Sequence, residues 1–277
     1  MVRKRKTGKK AVQPIRSRRL CAERLNPVTS FIRTALPAGL LFGLHAGAAY
    51  AGPEGGVVAA GEGSIATPNA TTTNINQVSN NLIVNWQSFN VNANETVNFN
   101  QPSAQARALN RIFDQNPSQI FGSINANGHV TLLNSNGLFI SPTAHVNVGS
   151  LIASGLDISD EDFMNGKHVF FNKDGSEGGQ VVNRGLIEAA TGGSVTLIGG
   201  AVKNEGTIVA TAGQVNLVAG KKVTMDFDGD GLMQFTIDEK ILENVHDLDN
   251  AVTNSGTISA EGGTVLLKGS AAKDVFT

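Results

Sequence analysis

Short runs of alternating apolar and polar residues recur in the second half of the chain. The segments VVNRGLIEAATGGSVTLIGG, AVKNEGTIVATAGQVNLVAG and AVTNSGTISAEGGTVLLKGS occupy residues 181–200, 201–220 and 251–270, and they share a unit of about 20 residues. Within the unit, I-x-A and V-x-L predict two short strands with one apolar face, because side chains alternate across a strand. The N-x-G and G-G steps predict turns, because Asn and Gly accept positive φ angles.

One unit cannot bury its apolar face alone, whereas stacked units bury a continuous column of Ile, Val, Leu and Ala. The turns are too short for crossover helices, which excludes a helix-covered parallel sheet. An up-and-down antiparallel barrel could use similar strands, but the same residue recurring at the same turn favours stacked coils. The repeat therefore predicts an all-β fold, a right-handed single-stranded parallel β-helix (solenoid), whose coils each add about 4.8 Å along the axis.

The pattern before the repeats is less regular but of the same kind. Strands are predicted near residues 82–86, 89–92 and 96–99, and the sequence SAQARALNR predicts a short helix at 103–111. Asparagine is frequent in this part of the chain. It favours polar turns and ladders of side-chain amides that bond from coil to coil.

A solenoid needs a covered end and tolerates insertions between its coils. The strands expected between Gly55 and Asn76 therefore predict an N-terminal β cap. Residues 157–177 and 221–250 interrupt the coil pattern. We interpret these two segments as extra-helical hairpins or loops that pack against the solenoid.

The charge of the chain is divided between two segments. In total, 22 Lys and Arg residues face 23 acidic residues. Residues 1–51 hold 11 of the basic residues and one acidic residue, a net charge of +10, so residues 52–277 carry −11. Because nucleic-acid binding requires clustered Lys and Arg, the acidic segment argues against a nucleic-acid partner.

The basic segment has the layout of a secretory signal. An uncharged stretch, ALPAGLLFGLHAGAA, follows the basic residues, and the A-Y-A sequence that ends at Ala51 places small residues where a signal peptidase requires them. We predict cleavage between Ala51 and Gly52, so that residues 1–51 are an extended signal peptide recognised by the Sec machinery. A nucleic-acid-binding arm or an amphipathic transit peptide is the alternative interpretation.

The sequence offers few candidates for catalytic or metal chemistry. The single cysteine, Cys21, lies in the predicted signal, which excludes disulfide and thiol chemistry after cleavage. No metal-ligand spacing, nucleophile elbow or phosphate-binding loop occurs, so we expect no cofactor, no metal and no catalytic residue. Parallel β-helices also carry polysaccharide lyases and hydrolases, which leaves a carbohydrate-active enzyme as an alternative. The repeat carboxylates Glu188, Glu205 and Glu261 do not align as paired catalytic acids would.

One segment resembles the beginning of a calcium-binding loop. Residues 226–231 read DFDGDG and match D-x-D-x-D-G, but Ile237 stands where an EF-hand has its bidentate Glu. A turn between the predicted strands VTMDF and LMQFTI explains the segment better. Calcium binding at Asp226–Asp230 stays open at this point.

Several motifs in the first half of the chain occur together, in the order of one known family. The chain resembles the secretion (TPS) domain of two-partner-secretion exoproteins over about residues 53–277. That family includes filamentous haemagglutinins, high-molecular-weight adhesins and haemolysin-type cytolysins. The motifs are NWQSFN at 85–90, FNQPS at 99–103, LNRI at 109–112, NPSQI at 116–120 and NSNGLF at 134–139.

The resemblance implies a β-helix with an N-terminal cap and extra-helical hairpins in residues 52–277. It implies export through the periplasm of a Gram-negative bacterium and recognition by a TpsB (Omp85-class) outer-membrane transporter with POTRA domains. The exported protein would then be a secreted or surface adhesin of the haemagglutinin type, which binds a host-cell receptor or glycan.

The resemblance also suggests where the transporter binds. The family motif N-P-N-G maps to residues 134–137, with Ser135 in place of Pro, and the family's second motif N-P-N-L has no match. We expect recognition at two turns and at the cap, with a purely structural role for the turns as the alternative. The candidate residues are Asn110, Arg111, Asn134, Asn136 and Gly137. The chain also lacks a visible C-terminal cap, so we interpret it as truncated there, with a remnant that has no adhesive activity as the alternative function.

Overall fold

Strands account for nearly all of the regular structure. The computed structural model describes residues 52–227, 233–241 and 251–270. Within these residues, no helix is long and apolar enough to cross a membrane. In this described part of the chain, the strands, numbered in chain order, form three long sheets and a small fourth sheet.

Sheets I and II each contain eight strands, and sheet III contains five. In spatial order, sheet I consists of β1 (Val57–Ala60), β4 (Asn81–Trp86), β6 (Arg107–Ile112), β9 (His129–Asn134), β12 (Ser150–Ser154), β16 (Ser194–Gly199), β19 (Gln214–Ala219) and β24 (Thr264–Gly269). Sheet II consists of β2 (Gly63–Asn69), β3 (Thr72–Gln77), β5 (Thr96–Asn100), β8 (Ser123–Ala126), β11 (His145–Val148), β15 (Leu186–Ala189), β18 (Thr207–Val209) and β23 (Thr257–Ser259). Sheet III consists of β22 (Val252–Asn254), β17 (Ala201–Asn204), β14 (Gln180–Asn183), β10 (Leu138–Ile140) and β7 (Ser118–Ile120).

The chain visits sheets III, II and I in turn, so each circuit is one coil of a parallel β-helix. The three sequence repeats are three such coils, and they stack in the register that the sequence predicts. Their matched core positions pair directly in all three sheets, as Val181↔Val202↔Val252, Ile187↔Ile208↔Ile258 and Val195↔Val215↔Val265. Because successive coils run in the same direction, this pairing is parallel. The predicted fold class is confirmed.

Side-chain amides link the coils, as the asparagine content predicts. Asn183 Nδ2 donates to Asn204 Oδ1 at 2.8 Å, and Asn204 Nδ2 donates to Asn254 Oδ1 at 2.7 Å. A second ladder on the outer face of sheet II joins Asn125, Asn98 and Asn74 through bonds of 3.0 Å. Bonding between the amides satisfies polar groups that are fully buried at Asn183 and Asn204 and partly buried in the second ladder.

The N-terminal strands close one end of the solenoid. β1 runs antiparallel to β4, and β2 runs antiparallel to β3, whereas β3 already pairs in parallel with β5. The antiparallel strands β1 and β2 cover the open edge of the first coil. Because they run against the coils, no further parallel coil stacks on this end of the β-helix. The predicted β cap is confirmed.

Two local predictions are wrong. Residues 103–111 do not form a helix: Ser103 and Ala106 close a turn, and β6 begins at Arg107. Ala108 pairs laterally with Leu82 and Val130, and these pairings outweigh the local helix propensity. The strand predicted near 89–92 is reduced to a single bridge between Val91 and Ile120.

The two interruptions of the coil pattern form one layer outside the solenoid. Sheet IV consists of β13 (His168–Phe171), β20 (Lys222–Phe227) and β21 (Met233–Glu239), and the short helix α1 (Asp160–Met164) precedes β13. β20 and β21 form a hairpin, as predicted, but the first interruption supplies only α1 and a strand that pairs with β20. The layer and the outer face of sheet I bury a second apolar core that includes Leu109, Leu133, Phe163 and Phe170.

Candidate functional site

The turn at residues 134–137 is held by its two asparagines and requires its glycine. Asn134 is buried, and its Oδ1 accepts a hydrogen bond from the Asn136 backbone N–H at 2.9 Å. The Gly137 N–H donates to the Asn134 carbonyl at 2.8 Å. Gly137 has φ +111°, and a Cβ there would lie 2.6 Å from the Gln180 carbonyl oxygen. Only glycine fits both the dihedral angle and the space.

The same turn organises the loop at residues 113–117. Asn134 Nδ2 donates to the Asn116 carbonyl and to Ser118 Oγ, both at 3.0 Å. Asn136 Nδ2 donates to the Asp114 carbonyl at 2.9 Å. The NPS and NSNG motifs, which lie about one coil apart in sequence, therefore form one structural unit.

This unit leaves an apolar side chain and a polar cleft exposed. Phe113 is 63% exposed and is the largest of the exposed apolar side chains in the described residues, and aromatic side chains are enriched at protein–protein interfaces. Beside the loop lies an open cleft of about 450 Å³. Its walls come from the cap, from the segment before β5 and from the loop itself, and its lining includes Glu54, Asn90, Asp114 and Pro117. We call the loop, the 134–137 turn and this cleft the cap-side corner.

Asn110 does not lie in this corner, nor in a turn as expected, but in the middle of β6. Its side chain points into the solenoid and is 0% exposed. Asn110 Oδ1 accepts the Trp86 indole N–H at 2.9 Å, and its Nδ2 donates to the Thr131 carbonyl. A partner cannot reach Asn110 in the folded domain, so its position favours the structural alternative.

Arg111 also lies in β6 rather than in a turn, and it faces the outer layer. Its guanidinium bonds to Asp157 at 2.8 Å, to Asp160 and to the Ile158 carbonyl. Burial alone would lower the pKa of Arg111, but the two carboxylates outweigh burial and raise it. Arg111 therefore fastens the extra-helical layer to sheet I.

The remaining predicted positions are those of the signal cleavage site and of the possible calcium loop. Gly52 is the first described residue and lies at the edge of the cleft, whereas Ala51 lies outside the described residues. Asp226 is described in β20, but residues 228–230 of the possible calcium loop are not. In the described part of the chain, no group of three or more His, Cys, Asp or Glu side chains could hold a metal ion.

Sequence reasoning found the turn but missed the loop that it holds. The NPS segment enters only through the family resemblance, which assigns no role to Phe113. One feature of the sequence does indicate the exposed position of Phe113. This large apolar residue directly follows an alternating strand and directly precedes the turn-forming sequence DQNP.

Comparison with known proteins identifies the family. Residues 49–277 match the TPS secretion domain family. The chain belongs to this family. The TPS domain is 32% identical to the HMW1 secretion domain of Haemophilus influenzae, with a TM-score of 0.68 over 78% of this chain and 57% of that chain. This solved β-helix supports the same architecture here.

Two curated relatives are heme/hemopexin-binding proteins of Haemophilus influenzae. One is 35% identical over 236 residues, which cover 81% of this chain and 25% of the relative. The other is 37% identical over 116 residues, which cover 40% of this chain and 12% of that relative. The chain thus spans at most a quarter of the length of these relatives. Membership identifies a TPS domain of a TpsA exoprotein, which implies a TpsB transporter as partner and a secreted or surface-associated protein of a Gram-negative bacterium.

Proposed function

We propose that this TPS domain delivers its exoprotein to a TpsB transporter, and that the cap-side corner is the surface the transporter recognises. The observation that carries the proposal is that the 134–137 turn fixes the 113–117 loop with Phe113 exposed at its edge. An exposed aromatic side chain beside a polar cleft is the kind of anchor that dominates protein–protein interfaces. POTRA domains of the transporter would supply the partner surface.

The roles of the predicted residues differ within this proposal. Asn134 and Gly137 are buried and act by shaping the loop, while Asn136 and Phe113 are exposed and contact the partner. The outer face of the corner carries Glu54 and Asp114, so a basic patch on the partner would complement it.

The route across the cell envelope follows from the same proposal. Residues 1–51 direct Sec export. In the periplasm, the first coils form the cap-side corner and bind the transporter, while the chain that follows them stays unfolded. That chain then threads the pore and folds outside, coil by coil, because each coil stacks only on its neighbours. The absence of cysteine after residue 21 avoids disulfides that would block threading.

Secretion assays in a strain that carries the cognate transporter test recognition. Phe113→Ser should lower the amount of secreted protein at least severalfold. Val78→Ser is the matched control, since Val78 is 66% exposed in the connection from β3 to β4 and does not line the cleft, and it should leave secretion unchanged. Equal secretion of both variants, with equal thermal stability, would contradict recognition at this corner. A deletion of the leader together with residues 52–150 should abolish surface appearance.

We propose that the delivered exoprotein acts at the cell surface as an adhesin of the haemagglutinin type, which binds a host receptor or glycan. The name of the curated relatives supports a second candidate, the capture of heme or of hemopexin. Binding of the secreted protein to host cells and to immobilised hemopexin separates the two, and failure of both favours a non-adhesive remnant.

We further propose that the domain has no catalytic function. Glu188 is hydrogen-bonded to the His145 ring, and Glu205 forms ion pairs with Arg184 and Lys203, so neighbouring basic side chains already occupy both carboxylates. Hydrolysis or lyase activity on a panel of polysaccharides would contradict this.

A further inference from the structure

A small cavity lies between sheet I and the extra-helical layer, far from the cap-side corner. Its volume is about 60 Å³, enough for several water molecules or one oxyanion. The outer face of sheet I forms its floor, with Arg107, His129 and Ser150 in adjacent positions of neighbouring coils. α1 and sheet IV form its roof, with Phe163 and His168.

The sheet I side of the cavity offers hydrogen-bond donors from Arg107, His129 and Ser150. Arg107 Nη1 lies under the connection from α1 to β13, 3.7 Å from the position that a Cβ on Gly166 would take. No carboxylate of the described residues lies within ion-pair distance of Arg107, and none lines the cavity. Ser150 Oγ accepts the Ser194 backbone N–H at 2.9 Å, so its own proton is available for a further acceptor.

The burial of the cavity disfavours a positive charge on its two histidine rings. Burial, followed by the charges of Arg107 and His129, lowers the pKa of His168 to about 4. Burial and the charge of Arg107 also lower the pKa of His129. Both rings are therefore neutral near neutral pH, where each carries one N–H donor, and the positive charge in the cavity is that of Arg107.

We infer that this cavity binds a small oxyanion of the size of phosphate or sulfate, held by the Arg107 guanidinium with support from His129 and the Ser150 hydroxyl. A guanidinium pairs with two oxygens of such an ion in its planar fork, and neutral histidine and serine donors suit the remaining oxygens. The bound ion would be held by donors of three neighbouring coils of sheet I and covered by the extra-helical layer through Phe163.

The test measures anion binding by the purified protein at pH 7.0 and constant ionic strength. Phosphate and sulfate should give saturable binding heats and raise the melting temperature by about 3–6 °C at ten times the dissociation constant. Chloride at the same ionic strength should not. Arg107→Gln should weaken oxyanion binding about 10- to 100-fold. Lys173→Gln, which removes an exposed positive charge elsewhere on the extra-helical excursion, should bind as the unsubstituted protein does.

Three results would overturn the inference. These are no saturable effect of either oxyanion, an equal effect of chloride, or binding that survives Arg107→Gln unchanged. If Arg107→Gln does not fold, Arg107→Lys and His129→Gln replace it. Each should fold and weaken oxyanion binding, and unchanged affinity in both would equally overturn the inference.

Discussion

The Trp86 indole N–H donates a 2.9 Å hydrogen bond to Asn110 Oδ1 in the interior of the β-helix. Both side chains are almost completely buried, and Trp86 also packs edge-on against Phe89 at 5.4 Å. The Asn110 amide continues to the Thr131 carbonyl one coil further on. A polar bridge thus connects the first coils below the cap, where the sequence suggested a contact with the transporter.

Asn110→Leu should destabilise the domain and leave its surface unchanged, because Asn110 is fully buried. The change keeps the side-chain size but leaves the buried Trp86 N–H without an acceptor, which costs about 1–3 kcal/mol in the free energy of unfolding. Urea unfolding measures it. In a double-mutant cycle with Trp86→Phe, the combined loss should be smaller than the sum of the single losses. Strict additivity would show that the bond contributes nothing.

The repeating part of the fold could be predicted because its information is local. Each repeat carries its own strands, its turn and its Asn, so aligning the units also gives the register of Asn183 on Asn204. Stacking then follows from the need to bury one apolar face per unit.

The remaining parts depend on contacts between residues that are distant in sequence. SAQARALNR contains good helix formers, yet Leu82 and Val130 flank Ala108 and impose a strand. Likewise, nothing local in β13 shows that its His168 pairs with Met225 of β20. The N-P-N-G resemblance locates the 134–137 turn, whereas Asn110 and Arg111 lie within β6 rather than in a turn, and their partners Trp86 and Asp157 are distant in sequence.

Arg111→Gln should loosen the extra-helical layer selectively. It breaks a largely buried ion pair with Asp157 and a partly exposed one with Asp160, and should cost about 2–3 kcal/mol. Arg184→Gln is the control, because its exposed pair with Glu205 should contribute less than about 1 kcal/mol. Hydrogen exchange should show faster exchange in β13 and unchanged exchange in β17. Equal losses in the two variants would refute a fastening role for Arg111.

Acid should weaken the domain through His168. Its pKa is about 4 in the folded state and about 6.5 when exposed, so unfolding takes up a proton between these values. The contribution of the neutral His168 ring to the free energy of unfolding is complete above pH 6.5, and it is lost as the pH falls toward 4. Between pH 7.5 and 4.5, this group alone should remove about 2–3 kcal/mol of stability. His168→Phe should show a smaller loss over the same range in urea unfolding, and an identical loss would exclude this titration.

Gly137→Ala should damage the cap-side corner more than an ordinary glycine substitution does. Gly137 combines a positive φ with a Cβ position 2.6 Å from the Gln180 carbonyl, whereas Gly175 has a positive φ of +74° and open space around it. Both alanine variants carry the backbone strain of about 1 kcal/mol, but only Gly137→Ala must also displace β14. We expect an additional loss of about 1–2 kcal/mol in thermal or urea unfolding, together with reduced secretion through the transporter. If the two variants unfold alike, the close approach of the turn to β14 does not constrain residue 137. If Gly137→Ala is less stable but fully secreted, the shape of the corner does not determine recognition.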